Sequence, residues 1–135
     1  MTKTKTVARK TLALILSGDR KWEKINPIRR ELQKLMKEYD VLIVIHGAAP
    51  GADTVGALVA DNLMIPIDPV PAEWEKFGPG AGPIRNGRML NKLLKFKADK
   101  KMVLAFHPDL TKSKGTKDMV KQARNAGVEA KVINK

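Results

Sequence analysis

Apolar positions along this chain fall into short unbroken runs, separated by stretches of helical periodicity and by turns of small residues. Thr11–Ser17 is an apolar run of strand length that stops at Gly18-Asp19-Arg20. Asn26-Pro27 then reads as a helix start, with Asn26 as N-cap and Pro27 at the first helical position, where a missing N–H costs nothing. Ile25, Ile28, Leu32, Leu35, Met36 and Tyr39 recur at helical spacing and predict one buried face. Val41–Ile45 predicts a second buried strand, broken by His46-Gly47-Ala48-Ala49-Pro50-Gly51. Ala52–Leu63 predicts a helix that is apolar on nearly every side and therefore well buried. Ile65–Val70 predicts a weaker third strand, which Pro66 and Pro69 confine to a sheet edge.

Pro71–Pro83 is rich in Gly and Pro and reads as irregular, with Trp74 and Phe77 inside it. A helix is expected from about Ile84 to Phe96, then a fourth strand at Met102–Phe106 and a polar loop at His107–Lys114. Gly115-Thr116 opens a last helix with Met119, Val120, Ala123 and Ala126 on one face and Gly127 as its C-cap, before a fifth strand at Val128–Ile133. Strands alternating with helices through short loops predict a parallel sheet covered on both faces. The right-handed crossover rule narrows this to an α/β fold, a single Rossmann-like doubly wound domain with a mostly parallel sheet of about five strands. Residues 1–10 read as a basic tail and 11–135 as the domain. In such sheets ligands sit beyond the carboxyl ends of the strands, at the topological switch point.

Composition narrows the classes further. The 135 residues suffice for one domain with a core, and 43% apolar content argues against disorder. The absence of cysteine excludes disulfides and thiolate metal sites. The basic start before Thr11–Leu16 has the outline of a signal peptide, but the apolar run is short and Asp19-Arg20-Lys21 follows without a cleavage site. No run approaches the roughly eighteen apolar residues of a membrane span. The expectation is a soluble, cytoplasmic protein with no membrane partner.

The formal net charge is +12. Residues 1–40 carry 11 basic and 5 acidic side chains, residues 92–135 carry 12 and 4, and residues 41–91 carry 3 and 5. The excess thus lies away from the glycine-rich turns, so spread lysines read first as solvated faces. Weak, non-specific, salt-sensitive contact with nucleic acid is the partnership such charge allows. What separates the two is whether basic residues gather at the mouth of the site or stay scattered.

Three strand ends carry candidate chemistry. His46-Gly47-Ala48-Ala49-Pro50-Gly51-Ala52-Asp53 places small residues where a backbone approaches a ligand closely, then opens a helix whose free N–H groups favour an anion. The same turn also reads as an ordinary strand-to-helix connection with Asp53 as a first-turn cap. A branched side chain at Gly51 is expected to fill the space of the ligand's phosphate. Ser17-Gly18-Asp19-Arg20 offers a hydroxyl, a glycine and a guanidinium for phosphate or ribose, or an Asp19–Arg20 pair that closes the turn. Trp22 is either a stacking platform or a packing anchor.

Gly82-Pro83-Ile84-Arg85-Asn86 is placed at a helix start, where Arg85 in the first turn opposes the helix dipole unless an anion is near. Thr116, after Gly115, caps the last helix or donates to a phosphate. His46 and His107 lack partners at metal-ligand spacing, so no metal site is expected. No Gly-x-Ser-x-Gly elbow presents a nucleophile.

Taken in order, Ser17-Gly18-x-Arg20-x-Trp22, His46-Gly47-Ala48-x-x-Gly51-Ala52-Asp53, Trp74, Gly82-Pro83-Ile84-Arg85-Asn86 and Gly115-Thr116-x-Asp118-Met119 resemble the YspA/YpsA-related branch of the SLOG superfamily. That Rossmann-like group also holds the DprA DNA-processing proteins and the LOG cytokinin-activating hydrolases. The resemblance runs from about residue 11 to 133. It implies a pocket for a nucleotide or nucleotide-derived ligand of the NAD, ADP-ribose or nucleoside phosphate type, with Gly47, Gly51, Ala52 and Asp53 on its phosphate-binding turn. Ala48 stands where a second glycine is expected. The LOG hydrolases carry an arginine, which Arg85 resembles, and a Gly-Thr-x-x-Glu, which Gly115-Thr116 begins. Met119 takes the place of that glutamate, with Asp118 one residue away.

Three functions follow as expectations. The first is a nucleotide-binding domain acting as sensor or sequestering protein. The second is a hydrolase of the N-glycosidic or phosphoester bond, with Asp53, Asp118 and Arg85 as catalytic candidates. The third is a DprA-like nucleic-acid binder. A homo-oligomer built through exposed helices stays open.

Overall fold

In the computed structural model, residues 9–135 are described. Most of the expected basic tail therefore lies outside the described residues. Lys10 already belongs to the fold, since its carbonyl accepts from Asp40 and Val41.

The elements run β1 (Thr11–Gly18), α1 (Ile25–Glu38), β2 (Val41–His46), α2 (Ala52–Asn62), β3 (Ile67–Pro69), α3 (Trp74–Phe77), a 3₁₀ turn (Gly78–Gly80), α4 (Ala81–Lys95), β4 (Lys100–Phe106), a second 3₁₀ turn (Leu110–Lys112), α5 (Gly115–Asn125) and β5 (Glu129–Ile133). The sheet has five strands, all pairs parallel, in the order β3-β2-β1-β4-β5. The chain winds outward from β1 in one direction and then, after the long α3–α4 crossover, in the other. This is the Rossmann-like doubly wound arrangement, with its switch point between β1 and β4.

Alternation along the strands builds two cores. Leu12, Leu14 and Leu16 of β1 face one side with Leu42, Val44, Met102, Leu104 and Phe106, beneath Ile28 and Leu32 of α1 and Val59 and Ala60 of α2. Ala13 and Ile15 face the other side with Ile45 and Val103, beneath Met89, Leu90 and Leu93 of α4 and Met119 and Ala123 of α5. Because β1 is covered on both faces, its run is apolar throughout, as parallel central strands require.

Several expectations are corrected. α1 begins at Ile25, so Asn26 is inside the helix and the extended residue before it is Lys24, which makes no side-chain cap. Ile25 and Met36 fall outside the buried arc and are exposed, as is Ala126, which lies beyond the end of α5. α2 is only half buried: Gly56 and Val59 face the core while Leu58 is 67% exposed. β3 shrinks to Ile67–Pro69 at the sheet edge, although Ile65 and Val70 remain buried beside it. The segment read as irregular contains α3 and a 3₁₀ turn, and α4 starts at Ala81 rather than Ile84. Glycine and proline are tolerated there because a helix's first turn needs no internal N–H donors. Among the described residues no helix is long and apolar enough to cross a membrane.

Candidate functional site

Beyond the carboxyl ends of β1 and β4, at the switch point, lies a cleft of about 530 Å³. Its floor is Ser17 and Gly18 of β1 and His107 after β4, and its walls come from Asp19-Arg20-Lys21, Ala49, Asp53, Trp74, Pro79, α4 between Gly82 and Met89, and Ser113–Thr116. Among the described residues, seven of the eight buried polar ones, Ser17, His46, Asp53, Arg85, Asn86, His107 and Thr116, lie at this end of the sheet; Glu31 is the exception. Burying polar groups is costly unless they are paired, so their concentration marks this end as more than packing.

Arg85 holds the centre. It is 8% exposed, yet it sits in the second turn of α4, five residues in, so the expected conflict with the helix dipole does not arise. Its place is fixed from both sides: Nη1 donates to the Gly47 carbonyl at 2.7 Å and Nε to the Asn86 side chain at 3.0 Å. Nη2 has no protein partner among the described residues. Asn86 in turn donates to the Gly115 carbonyl at 3.1 Å and to the Asp118 carboxylate at 3.0 Å, which Gln122 also reaches at 2.8 Å. Burial lowers the Arg85 pKa, with Arg20 adding to this and Asp53 opposing it.

Asp53 is 4% exposed in the first turn of α2. One carboxylate oxygen, Oδ2, accepts from the Gly47 N–H at 2.7 Å and from Ala49 at 3.5 Å, while Oδ1 has no hydrogen-bond donor among the described residues. Burial pushes its pKa up to about 6, against the lowering pull of the Gly47 N–H and of Arg85. Asp53 is therefore a carboxyl near its titration point at the cleft wall.

This geometry corrects the reading of the His46–Asp53 turn as a free anion cradle. Asp53 takes the N–H groups of Gly47 and Ala49, the His46 Nδ1 takes that of Ala48 at 3.1 Å, and the Asp19 carbonyl takes that of Ala52 at 3.0 Å. Gly51 has φ +77°, and a Cβ there would collide with the Asp19 and Arg20 backbone rather than with a ligand. Likewise a Cβ on Gly18 would strike the Phe106 carbonyl and Ala52, and one on Gly47 the Arg85 guanidinium. These glycines let loops close on each other. Ala48 adopts φ +55°, a conformation that suits the glycine expected at that position.

Of the sequence-predicted residues, Ser17, Gly18, Arg20, Asp53, Trp74, Gly82, Arg85, Asn86, Gly115 and Thr116 line the cleft. Gly47 touches it only through Arg85, and Ala52 is buried beneath it. Ala48 and Gly51 face a separate shallow depression. Trp22 is a packing anchor, its ring 5.7 Å from that of Phe106 and its indole N–H donated to the Lys24 carbonyl at 2.8 Å. His46 is buried and off the cleft; burial holds its pKa down, Asp68 opposes this, and its Nε2 has no hydrogen-bond partner among the described residues. Asp118 is held by Asn86 and Gln122 outside the cleft lining. Met119 is 0% exposed in the core and is not among the residues that line the cleft.

Thr116 does not cap α5. The Ser113 hydroxyl does, accepting from Thr116 at 3.0 Å and Lys117 at 3.3 Å. Ser113, Lys114, His107, Lys21 and Met89 are lining residues that the sequence reading passed over. The β4 end was the available signal, because a doubly wound sheet puts both strands flanking its switch point on the ligand.

The sequence model of the YspA, cpYpsA-related SLOG family matches residues 13–77, from β1 through α3. Over these residues the chain is similar to the SLOG family. No curated protein matches it. The SLOG segment contributes Ser17–Lys21, Ala49, Asp53 and Trp74 to the cleft, while Arg85, His107 and Ser113–Thr116 come from the part beyond it.

Proposed function

We propose that the cleft binds a nucleotide or nucleotide-derived ligand, of the NAD, ADP-ribose or nucleoside phosphate type, and that the protein senses or sequesters it. The observation that carries this reading is the buried Arg85, locked by Gly47 and Asn86, with one guanidinium edge left to the cleft. Arginine's fork matches phosphate oxygens, and here its fixed posture removes the entropy of ordering it. Arg20, Lys21 and Lys114 add positive charge around the same space. Trp74, 46% exposed with the Arg20 guanidinium 5.4 Å from its ring centroid, supplies a flat face for a base. The similarity of residues 13–77 to the SLOG family supports a nucleotide-related role.

The test is a melting-temperature panel of nucleotides, NAD and ADP-ribose against the matching nucleosides. Phosphate-bearing ligands at a hundred times their dissociation constant stabilise the fold by about 2.7 kcal/mol, and nucleosides do so far less. No shift with any nucleotide at millimolar concentration refutes the reading.

Asp53 favours a second reading, a hydrolase that adds water across the N-glycosidic or phosphoester bond. A buried carboxyl with a pKa of about 6 can exchange a proton near neutral pH. A glutamate like that of the LOG hydrolases is missing, because Met119, buried in the core, stands at that position. Chromatography of a bound nucleotide over hours separates the readings: intact ligand supports sensing, and released base or phosphate that Asp53→Asn abolishes supports hydrolysis.

A further inference from the structure

The cleft and the outer face of α5 meet at Lys114. Lys114 lines the cleft and immediately precedes α5, and Lys117, Lys121 and Arg124 follow along the helix. Offsets of three, seven and ten residues put all four within an arc of about 80°, along about 15 Å of axis. All four are exposed. Among the described residues none of them joins an ion pair, whereas Arg88 and Lys92 of the neighbouring α4 are paired with Glu73 and Asp68. Arg124 donates to the Ala130 carbonyl, which leaves its charge uncompensated. The single acidic residue of α5, Asp118, is engaged by Asn86 and Gln122. Solvated helix faces ordinarily interleave the two signs, and this row does not.

A row of like charges calls for a partner with charges in series. A membrane surface would also engage apolar side chains beside the lysines, and none lies on this row. A folded acidic protein would need an apolar interface centre, which the row also lacks. A nucleic-acid backbone needs only the cations.

We propose that the protein captures the end of a single-stranded nucleic acid, with the terminal nucleotide in the cleft and the next phosphates along Lys114, Lys117, Lys121 and Arg124. This rests on the nucleotide reading of the cleft. Trp74 stacks the terminal base alone; the row has no aromatic residue, so binding is independent of sequence and sensitive to salt.

Binding of a nucleoside monophosphate, a 5′- or 3′-phosphorylated tetranucleotide and the same strand in a longer closed circle tests this. The proteins compared are wild type and the triple variant Lys117→Glu, Lys121→Glu, Arg124→Glu, with Lys→Gln and Arg→Gln at the same positions as a milder control. Circular dichroism verifies folding. The tetranucleotide is expected to bind about tenfold or more tightly than the monophosphate at low salt, and the circle to lose the gain supplied by an end. Both variants remove the gain and leave monophosphate affinity unchanged. Three phosphate contacts give a salt slope of about −2, hence about a twentyfold loss between 50 and 200 mM salt that the variants do not share. Monophosphate binding with no gain from added phosphates, or a gain that survives both variants, overturns the proposal and leaves the cleft reading intact. Binding of neither mononucleotide nor oligonucleotide overturns both.

Discussion

Asp53 concentrates the site's electrostatics in one side chain. Its folded pKa of about 6 lies above the ordinary 3.8, so the folded state holds a proton that the unfolded chain releases earlier. The resulting stability is fully present below pH 3.8 and is lost as pH rises through about 6. The shift of roughly two units corresponds to on the order of 3 kcal/mol. Asp53→Asn, which cannot ionise, should therefore gain stability relative to wild type between pH 4 and pH 7.5 in urea titrations; an unchanged gap would mean that burial does not hold the proton. Arg85→Lys tests the neighbouring group. A lysine keeps the charge but cannot serve the Gly47 carbonyl, Asn86 and a ligand together. A lost charge-assisted contact of about 1.5–3 kcal/mol predicts ten- to a hundredfold weaker nucleotide binding by titration calorimetry. At Ala48 the left-handed φ of +55° reverses the usual rule: Ala48→Gly should hold or raise the melting temperature, where Ala→Gly ordinarily lowers it.

Helix starts place the site's pieces, and they do so through contacts several residues away. The α2 start is built on Gly51, whose positive φ and missing Cβ let the Asp19 carbonyl reach the Ala52 N–H. Gly51→Val should accordingly give a poorly folded protein by circular dichroism, not a folded one with an emptied site. The α5 start depends on the Ser113 hydroxyl, which orients Gly115 and Thr116 at the cleft. Ser113→Ala is expected to cost about 1 kcal/mol of stability in denaturant unfolding, as capping losses typically do. Retention of full stability would show that solvent satisfies those N–H groups as well.

At the scale of the whole molecule, the two apolar cores meet back to back on β1 and β4, so neither can dissolve without exposing the other's strands. A single cooperative transition is expected. Trp22 sits in one core while far-UV dichroism reports the whole fold, so the two signals should unfold at the same denaturant concentration once Trp74 is replaced by Phe. Separate midpoints would show that one helical layer detaches first. The same two-sided sheet explains the position of the cleft: the chain reverses its winding between β1 and β4, so the segments that follow these two strands lead to helices on opposite faces and leave the cleft between them.

Local pattern alone determined the order of the strands and of the four long helices, the parallel sheet and the edge place of β3, and it pointed to the carboxyl ends of the strands, where the cleft lies. Each of these follows from period, turn chemistry and chirality, which act over a few residues or apply to every such sheet. Tertiary structure decided what the individual residues do. The Gly47, Gly51 and Ala52 segment looks like a cradle for phosphate in one dimension, but folding fills it with Asp53, the Asp19 carbonyl and the Arg85 guanidinium. Arg85 reaches Gly47 across 38 residues of chain, and Asn86 reaches Asp118 across 32. Which face of α5 holds Met119 and which its lysines was periodic and could be read; that Lys114 joins those lysines to the cleft could not. Such contacts depend on where the ends of separate elements meet, and no local propensity encodes that.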